Sequence, residues 1–167
     1  MDQIAIQDAN ILIDLITIEM FSICLSSPYR FVTTEIILAE LHDHQIEKIQ
    51  PYIRSGKFAV IPIPTAELME IQSSSLEDER LSLQDWSAIF YAQKLKALLV
   101  TGDKRLRTLA ETKGLKVCGI LRLFDELVKN SIISQSEACL FLKHLLTINR
   151  RLPADECSSR ISTWCKE

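Results

Sequence analysis

Short apolar runs, too brief to be helices, alternate with longer amphipathic segments from the N-terminus to about residue 120, and this alternation constrains the fold more than any other feature. The runs are residues 3–7, 30–32, KFAVIPIP, ALLVT and LKVCGI. Between them the spacing predicts helices: one over about 11–24 with Asn10 as N-cap, one from Thr33 and Thr34 towards Gln50, and a new start at Pro51. Others follow from Thr65, from Ser82 to about Lys96, and from Asp103 to Gly114. Strands separated by helices return to the same sheet edge only in parallel, so the pattern predicts a central parallel sheet of four to five strands flanked by helices. The two prolines of IPIP place the third strand at an edge or a strand end, because proline cannot donate to a ladder. SSSLEDER reads as a loop or lid. We expect one α/β domain over residues 1–120, then a helical extension over 121–167, broken near Ile133 and Pro153. The extension's stripe of Leu140, Phe141, Leu145 and Leu146 must be covered by the same domain or by a partner subunit.

Four acids follow or close apolar runs in this pattern: Asp8 in IQDANILIDL, Glu40 in TTEIILAEL, Asp85 in LSLQDWSAIFYAQ and Asp103 in LLVTGDKRLR. A helix of roughly 20 Å from Ser82, followed by ALLVT, crosses the sheet and returns, which brings Asp85 and Asp103 to the edge where Asp8 ends the first strand. Each has a purely structural reading. Asp85 stands three residues after Ser82, a capping-box spacing; Asp103 caps a helix; Asp8 makes an Asx-turn. Glu40 differs, because it interrupts an apolar stretch and must face something polar. Taken together, carboxylates gathered at one edge repel one another unless protons or cations neutralise them, and a hard divalent cation is the simplest neutraliser.

Composition narrows the rest. A net charge of -3 and a pI near 5.7 argue against a broadly basic surface and leave room for local patches. Lys104, Arg105 and Arg107, directly after Asp103, are candidates to hold phosphates, although an exposed helical face accounts for them equally, and Arg150 and Arg151 are similar. His44 lies one turn after Glu40, yet HDHQ is a polar stretch that faces water, and no HExxH is present. Asp14 is left outside the site as an ordinary helical acid. Trp86, Phe90 and Tyr91 read as core. The five cysteines are odd in number and lack CxxC spacing, so reduced structural thiols are expected. With no secretory signal pattern and no uncharged stretch of membrane length, the expected location is cytoplasmic, with no membrane partner.

A strand ending in DxN, a helix with a mid-helix Glu, a helix opening SLxDWxAI and a strand followed by TGDKRL together resemble the PIN domain, a metal-dependent nuclease fold that includes the VapC toxin ribonucleases of toxin-antitoxin pairs. The resemblance covers about residues 1–120. It implies a catalytic and metal-binding set of Asp8, Glu40, Asp85 and Asp103, supported by Asn10 and Thr101 and occupied by Mg²⁺ or Mn²⁺. It also implies an endoribonuclease that hydrolyses RNA phosphodiester bonds to leave 5′-phosphate and 3′-hydroxyl ends, with RNA, an antitoxin protein or a second copy of the chain as partners. The alternative within the same fold is a catalytically inactive RNA- or protein-binding module. A receiver-like phosphoacceptor domain is a third reading, but it needs an acidic pair at the first strand end and a lysine after a late strand, which this sequence lacks.

Overall fold

Five short strands form one all-parallel sheet in the computed structural model, which describes residues 3–165. They are β1 (Gln3–Gln7), β2 (Tyr29–Thr34), β3 (Ala59–Ile61), β4 (Leu98–Val100) and β5 (Val117–Cys118), in the order β3-β2-β1-β4-β5. The chain builds outward from β1 to β2 and β3 and then crosses back, pairing β4 on the other flank of β1. Strand order therefore reverses between β1 and β4, the position where open parallel sheets form a crevice at their carboxyl ends. Ala5 and Ile6 in β1 and Leu99 and Val100 in β4 are fully buried, as central parallel strands covered on both faces require. The proline-flanked β3 lies at an edge, with Pro62 just beyond its end.

Helices cover both faces. The first is α1 (Ala9–Thr17), which buries Ile11, Leu12, Leu15 and Ile16, each worth about 1.5–3 kcal/mol of transfer from water. It does not continue to Cys24. Glu19 takes a left-handed conformation (φ 62°), the Met20 amide donates back to the Leu15 carbonyl at 2.9 Å, and the chain restarts as α2 (Phe21–Cys24) with Met20 and Phe21 in the core. The cost of a left-handed non-glycine residue, about 1–2 kcal/mol, is offset by burying those two side chains. Leu12 and Leu15 have no exposed surface, so truncating either to Ala is the change we expect to damage this layer most.

The helix expected from Thr34 to Gln50 is also two elements. Four residues form α3 (Glu35–Leu38), a turn follows through Ala39 and Glu40, and α4 (Asp43–Arg54) begins afresh after His42, whose amide donates to the Gln45 side chain at 2.9 Å. Glu40 is consequently not a mid-helix residue. Pro51 does not start a helix; α4 runs through it, held against the core by Ile49 and Ile53. Two further helices lie on the chain between β3 and β4: α5 (Thr65–Ser75), which absorbs the serines of the expected loop, and α6 (Leu83–Lys94). What remains of that loop is tethered by Lys113 to Glu77 (2.6 Å) and by the Trp86 indole donating to the Asp78 carbonyl (3.3 Å). Beyond β4, α7 (Lys104–Thr112) ends at Gly114, whose φ of +77° favours glycine.

After β5 come α8 (Ile120–Lys129), α9 (Gln135–Ile148) and α10 (Ala154–Trp164). Leu142 and Leu145 join the main core, Phe141 and Leu146 pack partly against it, and the Phe124 and Trp164 rings stack at 6.2 Å. Leu140 does not belong to the stripe, being 68% exposed. Cys139 and Cys165 form a disulfide, which corrects the expectation of reduced thiols; Cys24, Cys118 and Cys157 are free and buried. The bridge joins the start of one helix to the end of the next, with Cα atoms 5.4 Å apart, a pairing that neither cysteine parity nor local spacing reveals. No described helix is long and apolar enough to cross a membrane.

Candidate functional site

Asp8 ends β1 and caps α1. Its Oδ1 accepts the Ile11 amide at 2.9 Å, and its own amide donates to the Val100 carbonyl of the neighbouring strand. Thr101, fully buried just beyond β4, donates its hydroxyl to Asp8 Oδ2 and accepts the Asp103 amide at 3.0 Å. One threonine hydroxyl thus links the ends of the two strands that flank the crevice. Asp103 caps α7, its Oδ1 accepting the Leu106 amide at 2.8 Å. The expected N-cap Asn10 lies instead inside α1, where it is exposed beside the same crevice.

Asp85 arrives from another direction. It is the third residue of α6, and its Oδ2 accepts both the Ser82 amide (2.9 Å) and the Ser82 hydroxyl (2.8 Å). The amino end of α6 is fastened to the sheet by Ser87, which donates to the Gln84 carbonyl (2.7 Å) and contacts the Thr34 hydroxyl at the end of β2 (2.9 Å). Ser82 caps α6 as its spacing to Asp85 indicates, whereas Ser87 and its contact with Thr34 are positioning features that sequence reasoning missed. Only the Ser82–Asp85 spacing offered a local signal, because the Thr34–Ser87 contact joins positions remote in the chain.

The electrostatics tie the acids together. Burial pushes the Asp8 carboxyl up to about 6, against the pull of the Thr101 and Ile11 hydrogen bonds, and the charges of Asp85 and Asp103 push it further in the same direction. Glu40, exposed in its turn, is raised first by partial desolvation and then by the charge of Asp85. Asp8 therefore senses two other acids, and Glu40 is joined to the group through Asp85. Asp85 Oδ1 and Asp103 Oδ2 have no hydrogen-bond partner among the described residues. Gln7, one residue before Asp8, buries an amide that pairs with no protein group among them either.

The remaining candidates separate. Lys104 and Arg107 line the cleft beside Asp103, and Arg107 donates to the Thr101 carbonyl at 3.3 Å. Arg105 faces a different groove with Asp78 and Arg80. His44 stacks on His42 in the first turn of α4 and is exposed; the broken helix removes its one-turn relation to Glu40. Asp14 accepts the Asn149 amide at 2.7 Å and so anchors the α9–α10 linker. Among the described residues, no three His, Cys, Asp or Glu side chains close into a set that would by itself enclose a metal ion. The donors on offer are carboxylate oxygens, the ligand type of hard cations; Mg²⁺ in particular is commonly held by one or two carboxylates with waters and substrate phosphates completing its shell. The residues fit a cation held in that open manner and do not fit a closed protein cage.

Asp8 and Asp103 thus stand beyond the carboxyl ends of β1 and β4, the two strands between which the order reverses, with Asp85 and Glu40 joined to them electrostatically. A family model described as PIN domain matches residues 4–166, so the match takes in the C-terminal helices as well as the sheet. The chain belongs to the PIN domain family, whose members are generally nucleases and typically use divalent metals. No curated protein matches it.

Proposed function

We propose that the protein is a Mg²⁺- or Mn²⁺-dependent endoribonuclease that hydrolyses RNA phosphodiester bonds at the edge formed by Asp8, Asp85, Asp103 and Glu40. The observation that carries this reading is that Asp8, buried at the end of β1, lies within reach of the charges of Asp85 and Asp103 while Glu40 lies within reach of Asp85, four acids from four separate parts of the chain. A bound cation would polarise the phosphate and help ionise the attacking water. The chain's own residues do the positioning. Thr101 and the Ile11 amide fix both oxygens of Asp8; Ser82 fixes one oxygen of Asp85 and the Leu106 amide one oxygen of Asp103, which leaves each of these two with an outer oxygen to offer. Glu40, held in a turn beside Asp85, is suited to orient the incoming water or to ligate a second cation. No protein nucleophile is needed.

As a toxin of a toxin-antitoxin pair, the protein would be silenced by a partner segment that sets a basic side chain among these carboxylates. A binding-only module is favoured by one observation, the absence of a closed ligand set among the described residues. Incubation of the purified protein with a mixed RNA pool, with and without Mn²⁺, separates the two. We expect metal-dependent cleavage leaving 5′-phosphate ends and a loss of about 10³-fold in Asp8→Asn, equivalent to several kcal/mol of transition-state stabilisation. Equal cleavage by wild type and Asp8→Asn, or cleavage indifferent to metal, would sink the proposal.

A further inference from the structure

Beside the acidic edge opens a cleft of about 950 Å³, walled on one side by α1, α7 and the start of α8 and on the other by the α9–α10 linker. Asn10 and Asp103 belong to both the cleft and the edge, so the two are continuous. Its cations come from three separate parts of the chain: Lys104 and Arg107 from α7, Arg122 from α8 and Arg151 from the linker. In a chain of net charge -3, four such groups around one opening depart from the average surface. They are also largely uncommitted. Lys104 and Arg151 form no ion pair among the described residues, while Arg107 and Arg122 have long ion contacts to Glu111 (3.9 Å) and Glu126 (3.8 Å), Arg107 donating also to the Thr101 carbonyl and Arg122 to the Tyr29 hydroxyl. The acids in the same walls are engaged elsewhere, Asp14 with Asn149 and Glu156 with Arg160. Arg160 itself is held by Asp125 at 2.7 Å and is not counted.

Arg107 lies close against Gly119. A Cβ on Gly119 would stand 3.2 Å from Arg107 Nη2, so glycine leaves the guanidinium room to lie over the end of β4 and donate to the Thr101 carbonyl. That sets a cation directly behind the threonine that orients Asp8. Ile148, Leu152 and Pro153 add apolar surface on the facing wall.

We propose that this cleft holds single-stranded RNA as it leaves the acidic edge, with Lys104, Arg107, Arg122 and Arg151 on backbone phosphates and the apolar wall against a base. The proposal rests on the nuclease reading of the edge, and it makes the C-terminal helices part of the substrate-binding surface. Basic side chains that follow a strand of phosphates release counterions, so binding should weaken with salt.

The test is fluorescence anisotropy of a labelled single-stranded RNA 8-mer on the full chain in EDTA, which keeps the strand intact. A DNA 8-mer and a poly-glutamate peptide serve as parallel arms. Arg151→Glu and Arg122→Glu are each expected to weaken RNA binding about 10-fold and to flatten the salt dependence by about 0.7 in log–log slope. Lys48→Glu, an equal charge change on α4 away from the cleft, is expected to shift affinity less than about twofold. Arg151→Ala, with unchanged melting, guards against a folding artefact. The proposal is overturned if wild type does not bind the RNA, if both cleft variants match Lys48→Glu, or if the peptide binds as tightly as the RNA. Because nothing is cleaved, the two readings fail separately. Cleft-dependent binding without metal-dependent cleavage removes only the enzyme, and metal-dependent cleavage with normal binding by both Arg151→Glu and Arg122→Glu removes only the cleft.

Discussion

Ionised groups crowd together in two parts of this molecule, on opposite terms. At the sheet edge, Asp8 is buried within reach of the charges of Asp85 and Asp103, and it keeps a carboxyl raised to about 6. On the C-terminal helices, Arg160 lies in a fork against Asp125, with bonds of 2.9 and 2.7 Å, and Glu156 stands behind it. The helices use complementary charge and a disulfide to fasten α8, α9 and α10 together. The edge gathers like charges, which folding alone would disperse. A cluster that costs stability persists where it serves something else, and perturbed acids in a cleft are the usual sign of a functional site.

The largest stability effect we expect is on the fastened side. Reducing Cys139–Cys165 releases a constraint across 26 residues, worth about 3.5 kcal/mol on chain-entropy grounds. Thermal unfolding with and without reductant should show the loss, and Cys139→Ser should match the reduced protein. No loss on reduction would mean that packing alone, such as Phe124 on Trp164, holds the helices.

At the edge the sign reverses. Burial raises Asp8 from 3.8 to about 6, so folding favours its protonated form. That favourable contribution is complete below pH 3.8 and is lost as pH rises through about 6, where the folded state must carry a buried charge. Asn is neutral throughout and still caps a helix. Asp8→Asn should therefore stabilise the protein by up to about 3 kcal/mol at pH 7.5 in EDTA, with the gain vanishing below about pH 4. Denaturant melts at the two pH values measure it. A variant less stable than wild type at pH 7.5 would contradict the view that this carboxylate is kept at a cost.

Thr101→Val probes the same carboxyl with a smaller effect. The hydroxyl donates to Asp8 and accepts from the Asp103 amide, and the first of these bonds holds the Asp8 carboxyl down. Its removal should cost about 1–2 kcal/mol of stability and move the Asp8 titration above about 6, read by NMR of the carboxyl carbon. An unmoved titration would show that Thr101 joins the strands without tuning the acid.

Much of this edge was legible in the sequence because its signals are local. Asp8, Asp85 and Asp103 each begin a helix, and residues that cap helices stand next to the strands or turns they follow. The parallel sheet was legible for the same reason, since short apolar runs separated by helices leave few other topologies. The breaks at Glu19 and Glu40 were not. No glycine or proline marks either one, and what stops those helices is tertiary: Met20 and Phe21 turning into the core, and Leu41 buried ahead of the new start at His42. The disulfide and the contribution of Arg122 to the cleft were hidden too, and Arg151 was legible only as an ambiguous cation, because these depend on how α8, α9 and α10 fold back, which residue spacing within one helix does not encode.

The smallest effect tests whether the fork on the helices is stabilising at all. The Arg160 side chain is 21% exposed and that of Asp125 is 43% exposed, so solvent screens the pair and its worth is up to about 1 kcal/mol despite good geometry. Arg160→Ala should lower stability by about that amount in low salt and by less at 0.5 M, since added ions weaken an attraction between partly exposed groups. Wild-type Asp8 should respond in the opposite direction, because the same ions weaken the repulsion from Asp85 and Asp103 and let its carboxyl titrate lower. If salt moved both regions the same way, the distinction between charges paired for stability and charges gathered at its expense would fail.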